Sequence, residues 1–194
     1  MDPIVVRSMA KWPNVPAVFG WLSLDRRGRW RLQGELIGNK AANEFISRNY
    51  EHDASGRWFF QNGPQRVFVA LDYAPWTLAL DGNAQMRTHT GERVETVHGA
   101  WVDDEFNLLL DTEFGIGLVN DRDLAPLTEM IENEAGTLLT DSELEGLFDT
   151  LGGGDAPPAF LRWAGQRVPI GYVARADVPE RFRFDPAPTE ENAA

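Results

Sequence analysis

Alternation of apolar and polar residues marks much of the chain as β-structure. Over Arg29–Gln33, Trp30 and Leu32 alternate with Arg29, Arg31 and Gln33, the period of a half-buried antiparallel strand that turns Trp30 and Leu32 inward. With Phe19–Leu24 ahead of it, this run predicts a hairpin around Asp25–Gly28. A second hairpin is predicted over Gly56–Trp76. It has an aromatic strand, a type I′ turn at Asn62-Gly63, where both central residues need positive φ, and an apolar return strand starting at Pro64. Apolar residues stand on both faces of these strands: Trp58 and Phe60 against Phe59, then Val67, Val69 and Leu71 against Phe68. Strands apolar on both faces are buried on both, so this hairpin is expected at the centre of the fold, with only its turn, Gln61–Arg66, in solvent.

Short apolar runs continue through Trp76–Leu80, Gln85–His89, Val94–Val97, Ala100–Val102, Phe106–Leu110 and Phe114–Val119, parted by glycine or acidic turns. That is the pattern of an antiparallel meander. A final hairpin pairs Ala159–Trp163 with Arg167–Val173 through a turn at Ala164–Gln166. Helical periodicity is confined to three stretches. Asn39 can cap a helix that buries Ala42, Phe45 and Ile46. Asp123 can cap another carrying Leu124, Leu127, Met130 and Ile131, with Pro126 in its first turn. Thr140 and Glu143 form a capping box ahead of Leu144, Leu147, Phe148 and Leu151, and Gly152–Gly154 ends that helix. Residues 1–16, in which Pro13 and Pro16 bracket a turn, read as an irregular arm tucking Trp12 against the body. One turn chemistry recurs, from Asp25 to Trp30 and from Asp53 to Trp58: an Asp that can bond its own turn, a Gly for positive φ, then Arg and a strand-opening Trp. The expected fold class is α+β, antiparallel β-rich (a meander, roll or partly open barrel), with about three short helices. Residues 1–185 are expected to form a single compact domain, or two lobes at about 1–81 and 82–185, followed by a disordered acidic tail, 186–194.

Composition narrows the chemistry. At 194 residues the chain can bury roughly 70% of its unfolded surface and needs no staples. It has no cysteine, which excludes disulfides, cysteine–zinc sites, iron–sulfur clusters and thiol catalysis. No apolar run approaches the roughly 20 residues that span a bilayer. Met1–Arg7 lacks the basic and long apolar regions of a signal peptide, so a cytoplasmic location without membrane association is expected. The net charge is −12, placed unevenly. Residues 1–70 carry ten Lys/Arg against six Asp/Glu, residues 71–161 three against nineteen, and residues 162–194 five of each.

Six segments, Met9–Pro16 with Gly20–Leu22, Asn49–Asp53, Trp58–Val67, Asp121–Leu124 and Ala174–Phe182, resemble an uncharacterised proteobacterial domain-of-unknown-function family. The resemblance covers nearly the whole chain and implies one family unit in a bacterial protein. It carries no catalytic residue with it.

No motif assigns a reaction. Asp121 and Glu132 have the ends of a calcium loop, but its sixth position is Pro126 where glycine is required. Gly115-Ile-Gly117 and Gly152–Gly154 do not precede a helix as a phosphate cradle must, and no serine sits in a nucleophile elbow. No cofactor and no catalytic or metal-binding residue is therefore assigned, and the chain leans away from an enzyme. Two other functions are considered. His52, His89 and His98, with acids such as Asp53, Asp103, Asp104 and Glu105, or the paired carboxylates of Asp103–Glu105 and Asp111 with Glu113, could serve a metal-dependent or acid/base enzyme of small molecules. The cluster Arg26, Arg27, Arg29 and Arg31, interleaved with Trp21 and Trp30, could bind nucleic acid, though the acidic total opposes a polyanion. The preferred expectation is a non-catalytic binding or protein-interaction domain. Its candidate binding residues are Arg26, Arg27, Arg29, Arg31, Gln65 and Arg66, and its basic N-terminal hairpin would pair with an acidic surface of residues 92–145, within the chain, in a homo-oligomer or on a partner protein.

Overall fold

A computed structural model describes residues 1–12, 15–154 and 156–191. The centre of the proline-bracketed turn, Pro13 and Asn14, and the last three residues of the expected tail lie outside them. The chain divides into two compact units, one from Met1–Pro75 with the stretch from Phe182 onward, the other Trp76–Arg181.

The first unit holds α1 (Pro3–Lys11), β1 (Val18–Leu24), β2 (Trp30–Leu32), β3 (Glu35–Leu36), α2 (Lys40–Arg48), β4 (Tyr50–His52), β5 (Trp58–Asn62) and β6 (Gln65–Leu71). Its six-stranded sheet has the order β3-β2-β1-β6-β5-β4. Neighbours in sequence pair antiparallel, as the hairpin signals predict, but β1 and β6 at the centre pair parallel. The antiparallel-only expectation is thereby corrected. Parallel neighbours need a crossover, and the stretch containing α2 supplies it.

Asn39 caps α2 by accepting the Ala42 N–H at 3.0 Å, and Phe45 meets Phe60 edge-on, ring centroids 5.5 Å apart. Trp58–Gln61 of β5 are all buried, so this strand is covered on both faces as its composition demands. Gln61, expected at the solvent-exposed turn, is buried with them. Asn62 pairs with Gln65, which makes Gly63-Pro64 the two loop residues. Gly63 takes φ +58° at the first of them, the type II′ arrangement rather than type I′, and the fixed φ of proline suits the second. Two inward assignments also change. Leu32 is half exposed because β2 and β3 are an edge only a few residues long. The expected N-terminal arm is a helix with Pro3 in its first turn, the place that tolerates proline; it buries Val5 and leaves Trp12 57% exposed. Past Phe182, the Asp185 N–H donates to the Gly56 carbonyl at 3.0 Å and Pro186 accepts from Leu71 at 2.8 Å.

The second unit holds β7 (Trp76–Leu80), β8 (Met86–Thr88), β9 (Val97–Val102), β10 (Leu108–Thr112), β11 (Gly115–Val119), α3 (Leu124–Thr128), β12 (Ile131–Asn133), α4 (Asp141–Leu151), β13 (Ala159–Trp163), β14 (Gln166–Tyr172) and most of α5 (Val178–Phe182). Its eight strands run β12-β13-β14-β9-β10-β11-β7-β8. The meander β9-β10-β11 is antiparallel as expected, while β11–β7 and β14–β9 are parallel. Both sheets are mixed. Met86 of β8 and Trp163 of β13, from opposite ends of the strand order, line one cavity, so this sheet curls into a half-barrel.

Helix α4 carries the full capping box, Thr140 and Glu143 bonding each other's backbone N–H. Helix α3 stops at Thr128 because Ile131 belongs to β12, paired with Leu161. The Asp123 carboxylate, expected as its cap, accepts the Leu80 N–H at 3.0 Å instead. With α1 and α5, the described residues hold five α-helices rather than about three; none is long and apolar enough to cross a membrane.

The turn repeated at Asp25 and Asp53 recurs at Asp81 and Asp103. In each, the carboxylate accepts the N–H groups two and four residues on. The residue three positions on has positive φ: Gly28, Gly56, Ala84 and Phe106. This is a type I turn closed by a left-handed bulge residue, and Asn133 with Gly136 builds a related one.

Candidate binding groove on the six-stranded sheet

Strand alternation sorts the central hairpin into two faces. Trp58 and Phe60 face α2. Phe59 and Gln61 face the other way, paired across the strands with Phe68 and Arg66. On that second face Phe19 stacks on Phe68 with centroids 4.5 Å apart and planes 4° from parallel. The Arg57 guanidinium lies 5.1 Å from the Phe68 ring and that of Arg66 4.6 Å from Phe59. Each such contact contributes roughly 0.5–2 kcal/mol according to how dry it is.

The two arginines differ in what else they hold. Arg57 pairs with Asp53 at 2.7 Å. Burial pushes the Asp53 carboxyl up, but the Arg57 side chain and the Arg57 and Ser55 N–H groups outweigh it and hold the pKa below the usual value. Arg66 is exposed and makes no ion pair among the described residues. Beside it Gln61, 1% exposed, donates Nε2 to the Gly63 carbonyl at 2.9 Å, while its Oε1 has no donor among the described residues. An acceptor buried without a partner costs roughly 1–3 kcal/mol.

Two cavities of about 370 and 440 Å³ share Ala17 and Arg66 as walls. Met9, Trp12, Val15, Gln61 and Pro64 complete the first; Phe19, Arg57, Phe68 and Glu190 lie along the second. Together they form a groove with an aromatic floor, a cation, Arg66, that makes no ion pair among the described residues although Glu190 lies along the same wall, and a buried acceptor that meets no donor among them.

Of the residues singled out from sequence, Arg66 lines this groove, and Gln65 holds its wall by donating to the Pro16 carbonyl at 3.2 Å. Of the other four, three gather around Asp25. Arg29 reaches its carboxylate at 2.8 Å and Arg31 at 3.3 Å, Arg27 donates its backbone N–H to it, and Arg26 lies over the Tyr73 ring at 5.2 Å. Burial raises the Asp25 pKa, yet the backbone N–H bonds from Arg29 and Arg27 and the Arg29 guanidinium bring it below the ordinary value. Trp30 is buried and donates to Ser47 at 3.2 Å; Trp21 is 54% exposed.

His52 and His98 are exposed. His89 accepts the Thr77 N–H at Nδ1, 3.4 Å away, and burial lowers its pKa to about 3. Among the described residues no group of three or more His, Asp and Glu could hold a metal ion. Four of the acids weighed for acid/base chemistry have structural engagements. Asp103 closes its turn, Asp104 accepts the Arg175 N–H, Glu105 pairs with the Arg175 guanidinium, and Glu113 accepts the Glu95 and Thr96 N–H groups. Gln61, Arg57 and Phe19 were not singled out as site residues, although Gln61 had a signal: one amide inside an otherwise aromatic strand, Trp58–Phe60.

A family described as "Protein of unknown function (DUF2946)" matches residues 1–189, almost the entire chain. The chain belongs to the DUF2944 family. The resemblance to an uncharacterised family is thus established. This DUF2944 chain is similar to a crystal structure of a DUF1285 family protein from Silicibacter pomeroyi DSS-3, with a TM-score of 0.55 and 16% identity over 89% of this chain and 88% of that one; at that identity the shared property is the fold. A second DUF1285 family protein, from Shewanella baltica OS155, is similar over 55% of this chain and 88% of its own, with a TM-score of 0.42 and 16% identity. No curated relative matches.

Proposed function

We propose that this DUF2944 protein is a non-catalytic binding protein whose groove captures an acidic, extended segment of a partner protein. The observation that carries the reading is the pairing, in one groove, of Arg66 and the buried Gln61 Oε1, which among the described residues have no ion-pair partner and no donor respectively. A peptide backbone offers the N–H that Gln61 lacks, and an acidic side chain offers the carboxylate that fits a guanidinium. The ring contacts of Arg66 and Phe19 hold the site in shape before a ligand arrives, which reduces the entropy cost of binding. Exposed Trp12 and half-buried Pro64 supply apolar walls, and aromatic residues are enriched at interaction surfaces.

The test is an amide-resolved NMR titration with a capped Glu-Ala-Glu-Ala peptide and a capped Lys-Ala-Lys-Ala control. The acidic peptide is expected to shift residues 61–66 and the Trp12 indole, and Arg66→Gln is expected to weaken it about tenfold. Equal shifts with the lysine peptide, or none with the acidic one, would refute the reading.

A further inference from the structure

We infer that the eight-stranded unit carries a separate small-molecule site in the gap between the two edges of its curled sheet, and that this site takes an apolar α-amino acid. The cavity there measures about 560 Å³, within the range of small-molecule sites. Met86, Val94 and Met130 provide its apolar wall, and methionine adapts to irregular apolar shapes. Three polar groups border it without a protein partner among the described residues. Trp163 is 8% exposed, and its indole N–H is buried with no acceptor among the described residues. Arg93 and Glu95 both line the cavity and both are exposed. Neither side chain makes an ion pair or hydrogen bond among the described residues, with each other or with any third group.

Opposite charges two residues apart on one cavity, left unjoined, call for a ligand that carries both charges itself. A carboxylate suits Arg93 and the Trp163 N–H, an ammonium suits Glu95, and an apolar side chain suits the methionine wall. The backbone that presents the charges is fixed. Val94 donates to the Met86 carbonyl at 3.0 Å, Arg93 bridges to Arg87, and the Glu113 carboxylate holds the Glu95 and Thr96 N–H groups at 2.6 and 3.2 Å. Backbone strain collects at the same place. The described residues include two alanines at positive φ, Ala84 and Ala164, and both line this cavity. Such strain persists where the surrounding structure enforces it, as at ligand sites.

The experiment titrates the full-length protein with L-phenylalanine, 3-phenylpropionate and 2-phenylethylamine, observing the Trp163 indole N–H by NMR and affinity by calorimetry. L-Phenylalanine is expected to shift that resonance downfield and to bind about tenfold or more tightly than either singly charged analogue. Arg93→Gln and Glu95→Gln, both at exposed positions, are each expected to weaken it about tenfold. Trp163→Phe, which keeps an aromatic ring and removes only the N–H, should weaken binding without unfolding the sheet. Arg66→Gln should leave it unchanged. Absence of a Trp163 shift at millimolar L-phenylalanine, or equal binding of phenylpropionate, would overturn the proposal.

Discussion

The two units answer the same structural problem with different chemistry. Each joins antiparallel hairpins through parallel neighbours into one mixed sheet. The six-stranded unit, residues 1–75 and 182–194, is nearly balanced with eleven Lys/Arg against ten Asp/Glu; the eight-stranded unit, residues 76–181, has seven against twenty. The first spreads its aromatic floor under two arginines and leaves a buried acceptor, Gln61 Oε1, unmet among the described residues. The second walls its cavity with methionine and valine and leaves a buried donor, Trp163 Nε1, unmet among the described residues. Even the shared turn differs. At its left-handed position the first unit uses Gly28 and Gly56, while the second uses Ala84 and Phe106. One unit relieves the turn and the other loads it.

The largest test of that contrast is Gly56→Ala. Gly56 has φ +74°, and an added Cβ would fall inside contact distance of the Arg183 backbone carbonyl. The left-handed penalty and the clash together are expected to cost about 2–4 kcal/mol in urea denaturation. Loss of hydrogen-exchange protection at Asp185, whose N–H bonds Gly56, should accompany it. An alanine variant as stable as wild type would show that the turn is not sealed against the C-terminal segment.

Protonation separates the units next. The folded pKa of His89, about 3, lies below its ordinary 6.5, because burial disfavours the imidazolium and Nδ1 already accepts the Thr77 N–H. Below pH 6.5 the unfolded chain binds the extra proton, so stability falls as pH drops from 6.5 toward 3, by at most about 1.4 kcal/mol per pH unit, and is unaffected above that window. Asp25 and Asp53 in the other unit have lowered folded values, so their contribution is present above 3.8 and is lost only below it. Denaturation between pH 7 and 4.5 should therefore report His89, and His89→Gln should flatten the profile. An unchanged slope in that variant would remove His89 as its source.

Local features of both units were legible in the sequence; the pairing between distant segments was not. Asp25 with Gly28 and the alternation through Trp30 located one hairpin, and the Thr140–Glu143 box located α4, because caps and turns are determined by a few neighbouring residues. Nothing local encodes which strand lies beside β1, so the parallel β1–β6 and β14–β9 pairs were missed. The helix beginning at Pro3 was not legible because Pro13 and Pro16 mark a turn just beyond it and Asp2 gives it no side-chain cap. Ile131 fits the α3 periodicity equally well, and only its partner Leu161 makes it a strand residue. The groove was half legible. Arg66 stood out by charge, but its meaning depends on Gln61 across the strand and Phe19 from β1, a coincidence that tertiary pairing alone produces.

The smallest expected effect has the opposite sign to the first. Phe106 holds φ +60° while 59% exposed, at the position that Gly28 and Gly56 fill in the other unit. A β-carbon there is strained, and a solvent-facing phenyl ring recovers little burial in return. The ring does have one neighbour, Phe148, at 6.2 Å between centroids and roughly edge-on. Phe106→Gly is therefore expected to raise stability by about 0.5–1 kcal/mol, the release of left-handed strain less the lost ring contact and the added chain entropy. If the variant is less stable, the Phe106–Phe148 contact outweighs the strain. The eight-stranded unit would then spend its strained turn position on packing α4 against β10's turn, and Ala84 and Ala164 would remain as the strain associated with the cavity they line.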